Sequence, residues 1–323
     1  MKAIVCTKYG PPDVLELQEV KKPVPNEDEA LVKIQAASLN AADLENMRGE
    51  FVVRIAAPFR PMYRILGTDF AGTIEAVGKQ VKQFQPGEEI WGDLSFPLGS
   101  ATFAEYVCVP EDALRLKPAS MTFEEAASIP TAAVVALQNL RDKRPIQPGQ
   151  KVLINGAGGG VGTFAVQLAK YFGAEVTGVD SSSKLDMLRS IGADHVIDYK
   201  QEDFTTGDQH YDLVLNVVAY RSIFTYRRAL RPGGTFVYVG GSTSAIFQAL
   251  LFAPLLTRNS EQKMGIVPWK PNDKADMQYL TELFEAGKIS PVIDRSYPLS
   301  EVSEAARYLE GGHVKGKLVV TVK

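Results

Sequence analysis

A glycine-rich turn between a short apolar run and an amphipathic stretch constrains this chain more than any other feature of its sequence. Residues 152–154, Val-Leu-Ile, predict a parallel strand that is covered on both faces. The turn follows at residues 155–160, and apolar residues then recur at the spacing of one helix face: Val161, Ala165, Leu168 and Phe172. Because the free N–H groups and the positive dipole end of this helix point out of a turn without bulky side chains, we expect the turn to hold a diphosphate.

The motif itself is imperfect, since alanine stands in the first place of the G-x-G-x-x-G pattern. A glycine run alone is also typical of a tight strand-to-helix turn in other α/β domains. The context favours a dinucleotide site, because a second predicted strand at residues 175–179 leads into Asp180, where such a unit carries its ribose-binding acid. The cofactor-binding residues predicted from this unit are Ala157, Gly159, Gly160, Val161, Gly162 and Asp180.

Further strand and helix patterns follow in alternation. Short β-rich runs at residues 195–198, 212–217 and 235–239 are separated by helical patterns, which predicts a doubly wound parallel sheet. Ligands of such sheets bind at the carboxyl ends of the strands. Residues at two of these ends therefore join the predicted cofactor site: Val217, Val218, Gly240 and Gly241. The pair of glycines at 233 and 234 is expected to form only a turn.

The composition fits an ordinary enzyme of two domains. The chain has 323 residues, 23% of them charged, and a formal net charge of −3. Because lysine and arginine are scattered among acids, we expect no nucleic-acid partner. The longest apolar segment, residues 245–256, is too short to span a bilayer, and it favours a pocket wall or dimer contact over peripheral membrane attachment. Cys6 and Cys108 indicate no disulfide framework and the N-terminus indicates a strand, so we expect a cytoplasmic protein.

Both ends of the chain differ from its middle. Short alternating segments in the first 120 residues are interrupted by proline and glycine, which predicts a β-rich body with many turns. Beyond residue 290 the pattern gives a strand, a helix within residues 300–309 and a final strand. These last elements can return to the first domain.

Several segments match landmarks of a known family in order. They are SLNAADLENMRGE at 38–50, ILGTDFAGTIEAVG at 65–78, FQPGEEIWG at 84–92, ATFAEYV at 101–107, AASIPTAAVVALQ at 126–138, the glycine turn, SIGADHVIDY at 190–199, LRPGGTFVYVGG at 230–241 and GHVKGKLVV at 312–320. On these residues the chain resembles the zinc-free branch of the medium-chain dehydrogenase/reductase superfamily, the quinone oxidoreductase-like proteins, over essentially its whole length.

The resemblance implies an α/β architecture of two domains. A GroES-like, β-rich catalytic domain at residues 1–125 would be completed by residues 266–323. A Rossmann dinucleotide-binding domain with a doubly wound parallel sheet would occupy residues 126–265, with a cleft where the domains meet. The resemblance also implies NADPH or NADH as the cofactor and a homodimer as the assembly.

The residues at the family's zinc positions predict an enzyme without zinc. Where the zinc branch has a cysteine, a histidine and a second cysteine, this chain has Asn40, Thr68 and Thr131. None of these side chains replaces a thiolate or an imidazole. Without a Lewis acid, the hydride should go to an acceptor that delocalises its own negative charge, a small-molecule quinone or an α,β-unsaturated carbonyl compound. The alternative is a regulatory or scaffold protein that binds the nucleotide with little or no turnover.

Two residues are candidates for catalysis. Asn40 could donate a hydrogen bond to the acceptor, because the family's matching segment lies beside the nicotinamide; a loop-capping asparagine is the competing interpretation. Asp43 is expected to tie that loop or to cap the helix that follows. Phe51 stands where several relatives have a proton-donating tyrosine, which leaves Tyr63 or solvent as the proton source.

The residues near the second strand disagree about the cofactor. Asp180 favours NADH, because it can accept from both ribose hydroxyls and repels a 2′-phosphate. Ser181, Lys184 and Tyr199, the last at the family's phosphate-binding position, could instead surround a phosphate with donors. A solvated position at the start of a helix is the competing interpretation of Lys184. We therefore predict that both cofactors bind.

Overall fold

The computed structural model describes residues 1–95, 99–142, 145–207, 209–258 and 260–322. The strands are β1 (Lys2–Cys6), β2 (Leu15–Glu19), β3 (Glu29–Leu39), β4 (Asp69–Val77), β5 (Glu89–Asp93), β6 (Tyr106–Pro110), β7 (Arg115–Leu116), β8 (Lys151–Asn155), β9 (Glu175–Asp180), β10 (His195–Asp198), β11 (Tyr211–Asn216), β12 (Leu230–Tyr238), β13 (Lys263–Ile266), β14 (Ile293–Pro298) and β15 (Lys317–Thr321). The helices are α1 (Ala41–Arg48), α2 (Phe51–Ala56), α3 (Phe123–Ser128), α4 (Pro130–Arg141), α5 (Gly160–Tyr171), α6 (Leu185–Ser190), α7 (Ile223–Arg227), α8 (Thr243–Thr257), α9 (Lys274–Glu285) and α10 (Val302–Glu310).

The chain divides into two units with separate internal packing. Unit 1 comprises Met1–Ala132, Pro271–Thr281 and Ile293–Lys323, and unit 2 comprises Ala133–Lys270 and Glu282–Val292. Both ends of the chain therefore belong to unit 1. The domain boundaries expected from the sequence, at 125/126 and 265/266, stay a prediction.

Unit 1 is built around a mixed sheet with the order β14-β15-β3-β4-β5-β7, in which β6 also pairs with β3. The last strand, β15, runs antiparallel to β3 with Leu318 opposite Leu39, so that the C-terminal segment lies beside the end of β3. Trp91, Phe70 and Phe103 are among the largest fully buried side chains of this unit. The expected β-rich, GroES-like architecture is confirmed.

Unit 2 contains a parallel sheet with the order β10-β9-β8-β11-β12-β13. The chain proceeds outward from β8 to β10 on one side, and then returns to add β11 to β13 on the other side. The strand order therefore reverses between β8 and β11, which is the position where doubly wound sheets bind ligands. The predicted Rossmann-type sheet is confirmed. The carboxyl ends of β8, β9 and β11 lie along one edge at Asn155, Asp180 and Asn216.

The prediction of a turn at Gly233 and Gly234 is wrong. These residues lie inside β12, which continues from Leu230 to Tyr238. The pairing with β11 shifts register between Tyr211 and Leu213, and Gly233 has a φ of 73° at this irregularity. Glycine adopts that conformation without strain, so the extra residues are absorbed within the strand.

Helix α8 contains the apolar segment 245–256 and includes Pro254. Small residues face the interior at a spacing of four, since Ala245, Ala249 and Ala253 are buried. Large apolar side chains remain at the surface: Phe247, Leu250, Leu251 and Leu255. None of the helices in the described part of the chain has the length and apolar character required to span a membrane.

Candidate active site

Asn40 lies between β3 and α1 and begins the helix. Its backbone N–H donates to Asp43 Oδ2 at 2.8 Å, and the backbone N–H of Gly67 donates to Asp43 Oδ1 at 3.2 Å. The Asp43 carboxylate thus caps α1 and ties it to the segment that precedes β4. The capping role expected for Asp43 is confirmed.

Burial dominates the electrostatics of Asp43. Loss of solvation, reinforced by the negative charge of Asp69, raises the pKa of Asp43 to about 7, against the opposing effects of its two N–H donors and of Lys317. Burial is also the main cause that raises the pKa of Asp93, which accepts hydrogen bonds from the Ser95 N–H and hydroxyl. The site therefore holds carboxyl groups that resist ionisation.

We expect Asp43 to make the folded protein less stable as the pH rises. Because its folded pKa of about 7 exceeds the ordinary value of 3.8, the folded state retains a proton that the unfolded chain releases. This stabilising contribution is complete below about pH 4 and is lost as the pH rises through 7. The free energy of unfolding of wild type, relative to Asp43→Asn, should fall by roughly 2 to 4 kcal/mol across this window. Urea unfolding of both proteins at several pH values measures it, and a constant difference would contradict it.

The Asp69 carboxylate at the start of β4 is fully buried and collects donors from several elements. Oδ2 accepts from Ser38 Oγ and from Asn40 Nδ2, each at 3.0 Å. Oδ1 accepts from the N–H and the hydroxyl of Thr131 at 3.0 and 2.6 Å. Asn40 and Thr131, the residues expected at two of the family's zinc positions, thus contact the same carboxylate.

Lys317, the first residue of β15, supplies the positive charge of this cluster. Its Nζ lies 3.3 Å from Asp69 Oδ2, and the residue is only 2% exposed. Neither member of this ion pair was predicted from the sequence. The sequence did carry a sign of the pair, since GTDFAG and GKLVV each have a charged residue at the start of an apolar strand. Charged residues are rarely buried unless they are paired, so each of these predicts an opposite charge nearby.

Three further residues singled out in the sequence also belong to unit 1. Tyr63 is half-buried in the irregular segment between α2 and β4, and its ring is near Gly99. Phe51 is the first residue of α2 and is 55% exposed. Thr68 adjoins Asp69, and its carbonyl accepts the N–H of Leu94. The role of Tyr63 as a proton donor stays a prediction.

In unit 2, the glycine-rich turn opens α5 as the sequence predicts. The N-cap residue Gly159 has no capping side chain, and a Cβ there would meet its nearest neighbour only at 3.8 Å. Gly159, Gly160 and Val161 are partly exposed, and no side chain caps the first N–H groups of the helix. Gly162 and Ala157 are buried where the helix packs on the turn. A Cβ on Gly162 would lie 2.6 Å from the Ala157 Cα.

Asp180 ends β9 and already has internal partners. Its Oδ2 accepts the N–H of Gly158 at 2.8 Å, and its Oδ1 accepts the N–H of Ser181 at 2.8 Å. Lys184 Nζ lies 3.4 Å from the same Oδ1, and Lys184 is 6% exposed. The interpretation of Lys184 as a solvated residue is therefore wrong, because its stem packs against Gly158 and its ammonium pairs with Asp180.

The remaining predicted cofactor residues follow the carboxyl ends of neighbouring strands. Tyr199 follows β10 and is 50% exposed, and its N–H donates to the Asp180 carbonyl. Val217 and Val218 follow β11, and Gly240 and Gly241 follow β12, with Gly241 bridged to Ala219. The parallel sheet thus brings the predicted cofactor residues of unit 2 to one edge.

A pair of asparagines at that edge was not anticipated. Asn155 Nδ2 donates to Asn216 Oδ1 at 2.7 Å and to the Val218 carbonyl at 2.9 Å. The Nδ2 of Asn216 is buried and has no hydrogen-bond partner within the described residues. A buried amide without an acceptor at the reversal of the strand order is a further group that a ligand could satisfy. The sequence sign of Asn155 and Asn216 was an asparagine at the carboxyl end of an apolar strand, in KVLIN and in YDLVLN.

Comparison with known proteins gives the family. The chain matches a model for the alcohol dehydrogenase GroES-like domain over residues 26–119 and a model described as zinc-binding dehydrogenase over residues 191–320. It is 35% identical to a 2-methylene-furan-3-one reductase of Solanum lycopersicum, over 99% of this chain and 79% of the relative. It is 32% identical to an NADPH-dependent alkenal/one oxidoreductase, chloroplastic, of Arabidopsis thaliana, with the same coverage.

A solved structure agrees with these relatives. The quinone oxidoreductase from Coxiella burnetii has a TM-score of 0.90 and 32% identity, over 100% of this chain and 99% of that chain. The chain belongs to the medium-chain dehydrogenase/reductase superfamily. Within that superfamily it groups with proteins named as quinone and alkenal oxidoreductases, as the sequence motifs predicted.

The side chains of Asn40 and Thr131, expected at two of the family's zinc positions, do not fit a zinc ion. Asn40 Oδ1 accepts from the Lys317 ammonium at 2.7 Å, and the Thr131 hydroxyl donates to Asp69. The buried Lys317 ammonium therefore lies beside Asn40, one of the residues expected at the zinc positions. Within the described residues there is no group of three or more histidine, cysteine, aspartate or glutamate side chains placed to hold a metal.

Proposed function

We propose that the protein is an NAD(P)H-dependent oxidoreductase that transfers a hydride to a quinone or to an α,β-unsaturated carbonyl compound without using zinc. The observation that carries the proposal is the uncapped, glycine-lined start of α5 at the carboxyl edge of the unit 2 sheet. The names of the similar proteins supply the chemistry: one reduces a 2-methylene-furan-3-one, another an alkenal or alkenone, and a third a quinone.

The residues of unit 2 are suited to a dinucleotide. The N–H groups at Gly160 and Val161 would bind the diphosphate, while Asp180 would accept from a ribose hydroxyl with the lone pairs that its internal partners leave. Val217, Val218 and Gly240, beyond the ends of β11 and β12, would line the same cofactor. When bound, the reduced nicotinamide supplies the hydride.

The residues of unit 1 support a conjugated acceptor. Hydride addition to a quinone or an enone leaves negative charge on the acceptor oxygen, and a fixed hydrogen-bond donor stabilises that charge. One N–H of the Asn40 Nδ2 donates to Asp69, and its second N–H has no partner among the described residues. We propose that this second N–H binds the acceptor oxygen. Proton delivery to the product is assigned to Tyr63 or to solvent.

A panel of acceptors tests the proposal directly. The purified protein should oxidise NADH or NADPH with some quinones, enones or enals, followed by the loss of the near-ultraviolet absorbance of the reduced nicotinamide. A saturated aldehyde is the matched control, because it cannot spread the negative charge over a conjugated system and should give no turnover. Cofactor binding without turnover on any conjugated acceptor would instead favour the alternative of a nucleotide-binding scaffold.

Asp180 should set the balance between the two cofactors. In Asp180→Asn the Oδ1 atom can still accept the backbone N–H of Ser181 while the negative charge is lost, so repulsion of a 2′-phosphate disappears and Lys184 becomes available to it. We expect the ratio of kcat/KM for NADPH to that for NADH to rise about tenfold or more, a difference of about 1.4 kcal/mol. Asp180→Ala should give a similar ratio with weaker binding of both cofactors. An unchanged ratio in both variants would show that Asp180 does not determine the cofactor preference.

We also propose a homodimer. Helix α8 packs beside the edge strand β13 and exposes Leu250, Leu251 and Leu255. A second copy of the chain would cover both the unpaired edge of β13 and these leucine side chains. Light scattering on the purified protein should give twice the chain mass. The cytoplasmic location stays a prediction, since the Arabidopsis relative is named as chloroplastic.

A further inference from the structure

The ammonium group of Lys317 is fully used inside unit 1. It donates to the Leu39 carbonyl at 3.3 Å, to Asn40 Oδ1 at 2.7 Å and to Asp69 Oδ2 at 3.3 Å. An ammonium has three N–H groups, so these acceptors account for all of them. Lys317 therefore has no donor left for a substrate, and any effect on catalysis must pass through one of these partners.

The backbone fixes where this ammonium lies. Antiparallel pairing sets Leu318 of β15 opposite Leu39 of β3, which puts Lys317 beside Asn40 at the end of the same ladder. The Lys317 residue is 2% exposed and Asp69 is fully buried. Because a buried charge is held firmly by its opposite charge, the ammonium cannot move to solvent without leaving Asp69 unpaired.

These partners determine which way the Asn40 amide points. The oxygen and nitrogen of an asparagine are normally hard to tell apart, and only the hydrogen-bond network distinguishes them. Here the network is decisive, because an ammonium can only donate and a carboxylate can only accept. Oδ1 must face Lys317 and Nδ2 must face Asp69. The direction of the second N–H of Nδ2 follows from these contacts, since the amide is planar.

The contact with Lys317 also strengthens that N–H as a donor. The ammonium donates to the amide oxygen and draws electron density from the amide nitrogen, as in chains of hydrogen bonds in a medium of low dielectric constant, while Asp69 fixes the orientation of the group. A donor that is already oriented needs no reorganisation when negative charge develops opposite it.

We propose that Lys317 is a positioning residue, which with Asp69 locks the Asn40 amide so that its remaining N–H meets the oxygen of the conjugated acceptor. The inference rests on the proposed function. It assigns a catalytic consequence to an ion pair that would otherwise serve only stability.

A double-mutant cycle separates these two roles. In Lys317→Met the amide loses its anchor, and we expect kcat to fall about tenfold or more while KM for the reduced cofactor changes less than about twofold. Asn40→Ala should lower kcat by about 10² or more, the usual effect of removing such a donor. If Lys317 acts through Asn40, then Lys317→Met should have little further effect in the Asn40→Ala background. Equal losses of kcat in both backgrounds would overturn the proposal.

Controls address folding and lysine loss in general. Lys317→Met leaves the buried Asp69 carboxylate without its cation, so Asp69→Asn combined with Lys317→Met provides a neutral version of the cluster that should show the same fall in kcat. Lys274→Met removes an exposed lysine of unit 1, which pairs with Asp112 at the surface, and should leave kcat unchanged. Wild-type kcat in the neutral double variant would also overturn the proposal.

Nuclear magnetic resonance gives a readout that does not depend on turnover. The side-chain amide of Asn40, assigned by its disappearance in Asn40→Asp, should give one proton signal, from the N–H bonded to Asp69, that exchanges slowly with solvent. Loss of this protection is expected in the neutral double variant. If no acceptor is turned over, the proposed function fails while this measurement still decides whether Lys317 and Asp69 hold the amide. An Asn40 amide that keeps its shifts and protection without Lys317 would contradict the inference.

Discussion

Asp69→Ala should destabilise the protein by about 3 to 5 kcal/mol, the range observed when one partner of a buried ion pair is removed. The substitution leaves the Lys317 ammonium in the interior without its counter-charge, since this residue is only 2% exposed. It also removes the acceptor of the Ser38 and Thr131 hydroxyls and of the Thr131 N–H. Each of these donors would then bear part of the cost of burial without a partner.

The measurement is chemical denaturation monitored by tryptophan fluorescence, because Trp91 is buried in the same unit. Asp112→Ala is the matched control, since Asp112 forms an exposed ion pair with Lys274 and should change the free energy of unfolding by less than about 1 kcal/mol. Asp69→Asn combined with Lys317→Met should recover much of the loss, because no unpaired charge remains. If Asp69→Ala is as mild as Asp112→Ala, the cluster is not the buried ion pair described above.

Gly162→Ala should have the second large effect, on both stability and cofactor binding. A Cβ at this position would collide with the carbonyl oxygen of Gly156 and would lie 2.6 Å from the Ala157 Cα. These are backbone atoms, so they cannot be relieved by a rotamer change, and the start of α5 must shift instead. We expect a loss of roughly 2 to 3 kcal/mol of stability. We also expect affinity for the reduced cofactor to fall about tenfold or more, because the helix N–H groups would no longer converge on the diphosphate.

Calorimetry on the variant protein measures both quantities. Gly207→Ala is the appropriate control, because it lies in the same unit, has no unusual φ and would place its Cβ in open space. That control should bind the cofactor like wild type. Tight binding of NADH and NADPH by Gly162→Ala would show that the cofactor does not use the start of α5.

The sequence predicted the architecture well because periodicity and glycine placement report on the local environment. The apolar run at 152–154, the turn and the amphipathic helix were all readable, since each requires its own residue types over a short span. The prediction of a turn at Gly233 and Gly234 was wrong for a related reason. A pair of glycines signals a backbone that needs freedom, but it does not distinguish a turn from an irregular strand.

The charged cluster of unit 1 could not be predicted in the same way. Asp69 and Lys317 are 248 residues apart, and only the pairing of β15 with β3 brings them together. Similarly, the ion pair of Asp180 with Lys184 depends on how the chain turns after β9, whereas the sequence allowed Lys184 to be solvated. Local patterns identify strands and turns, but the pairing of buried charges requires the sheet order.

The position of Lys317 also has a consequence for biosynthesis. On the ribosome, Asp69 is made 248 residues before its counter-ion, and Leu39 at the end of β3 is made 278 residues before Lys317 at the start of β15. Unit 2 is complete in sequence once residue 292 has been made, whereas unit 1 still lacks its C-terminal strands. We therefore expect the Asp69 carboxylate to lack its counter-ion until β15 pairs with β3, so that unit 1 completes its packing only after all of unit 2 has been synthesised. The order of synthesis thus places the ion pair of Asp69 with Lys317 among the last contacts that unit 1 can form.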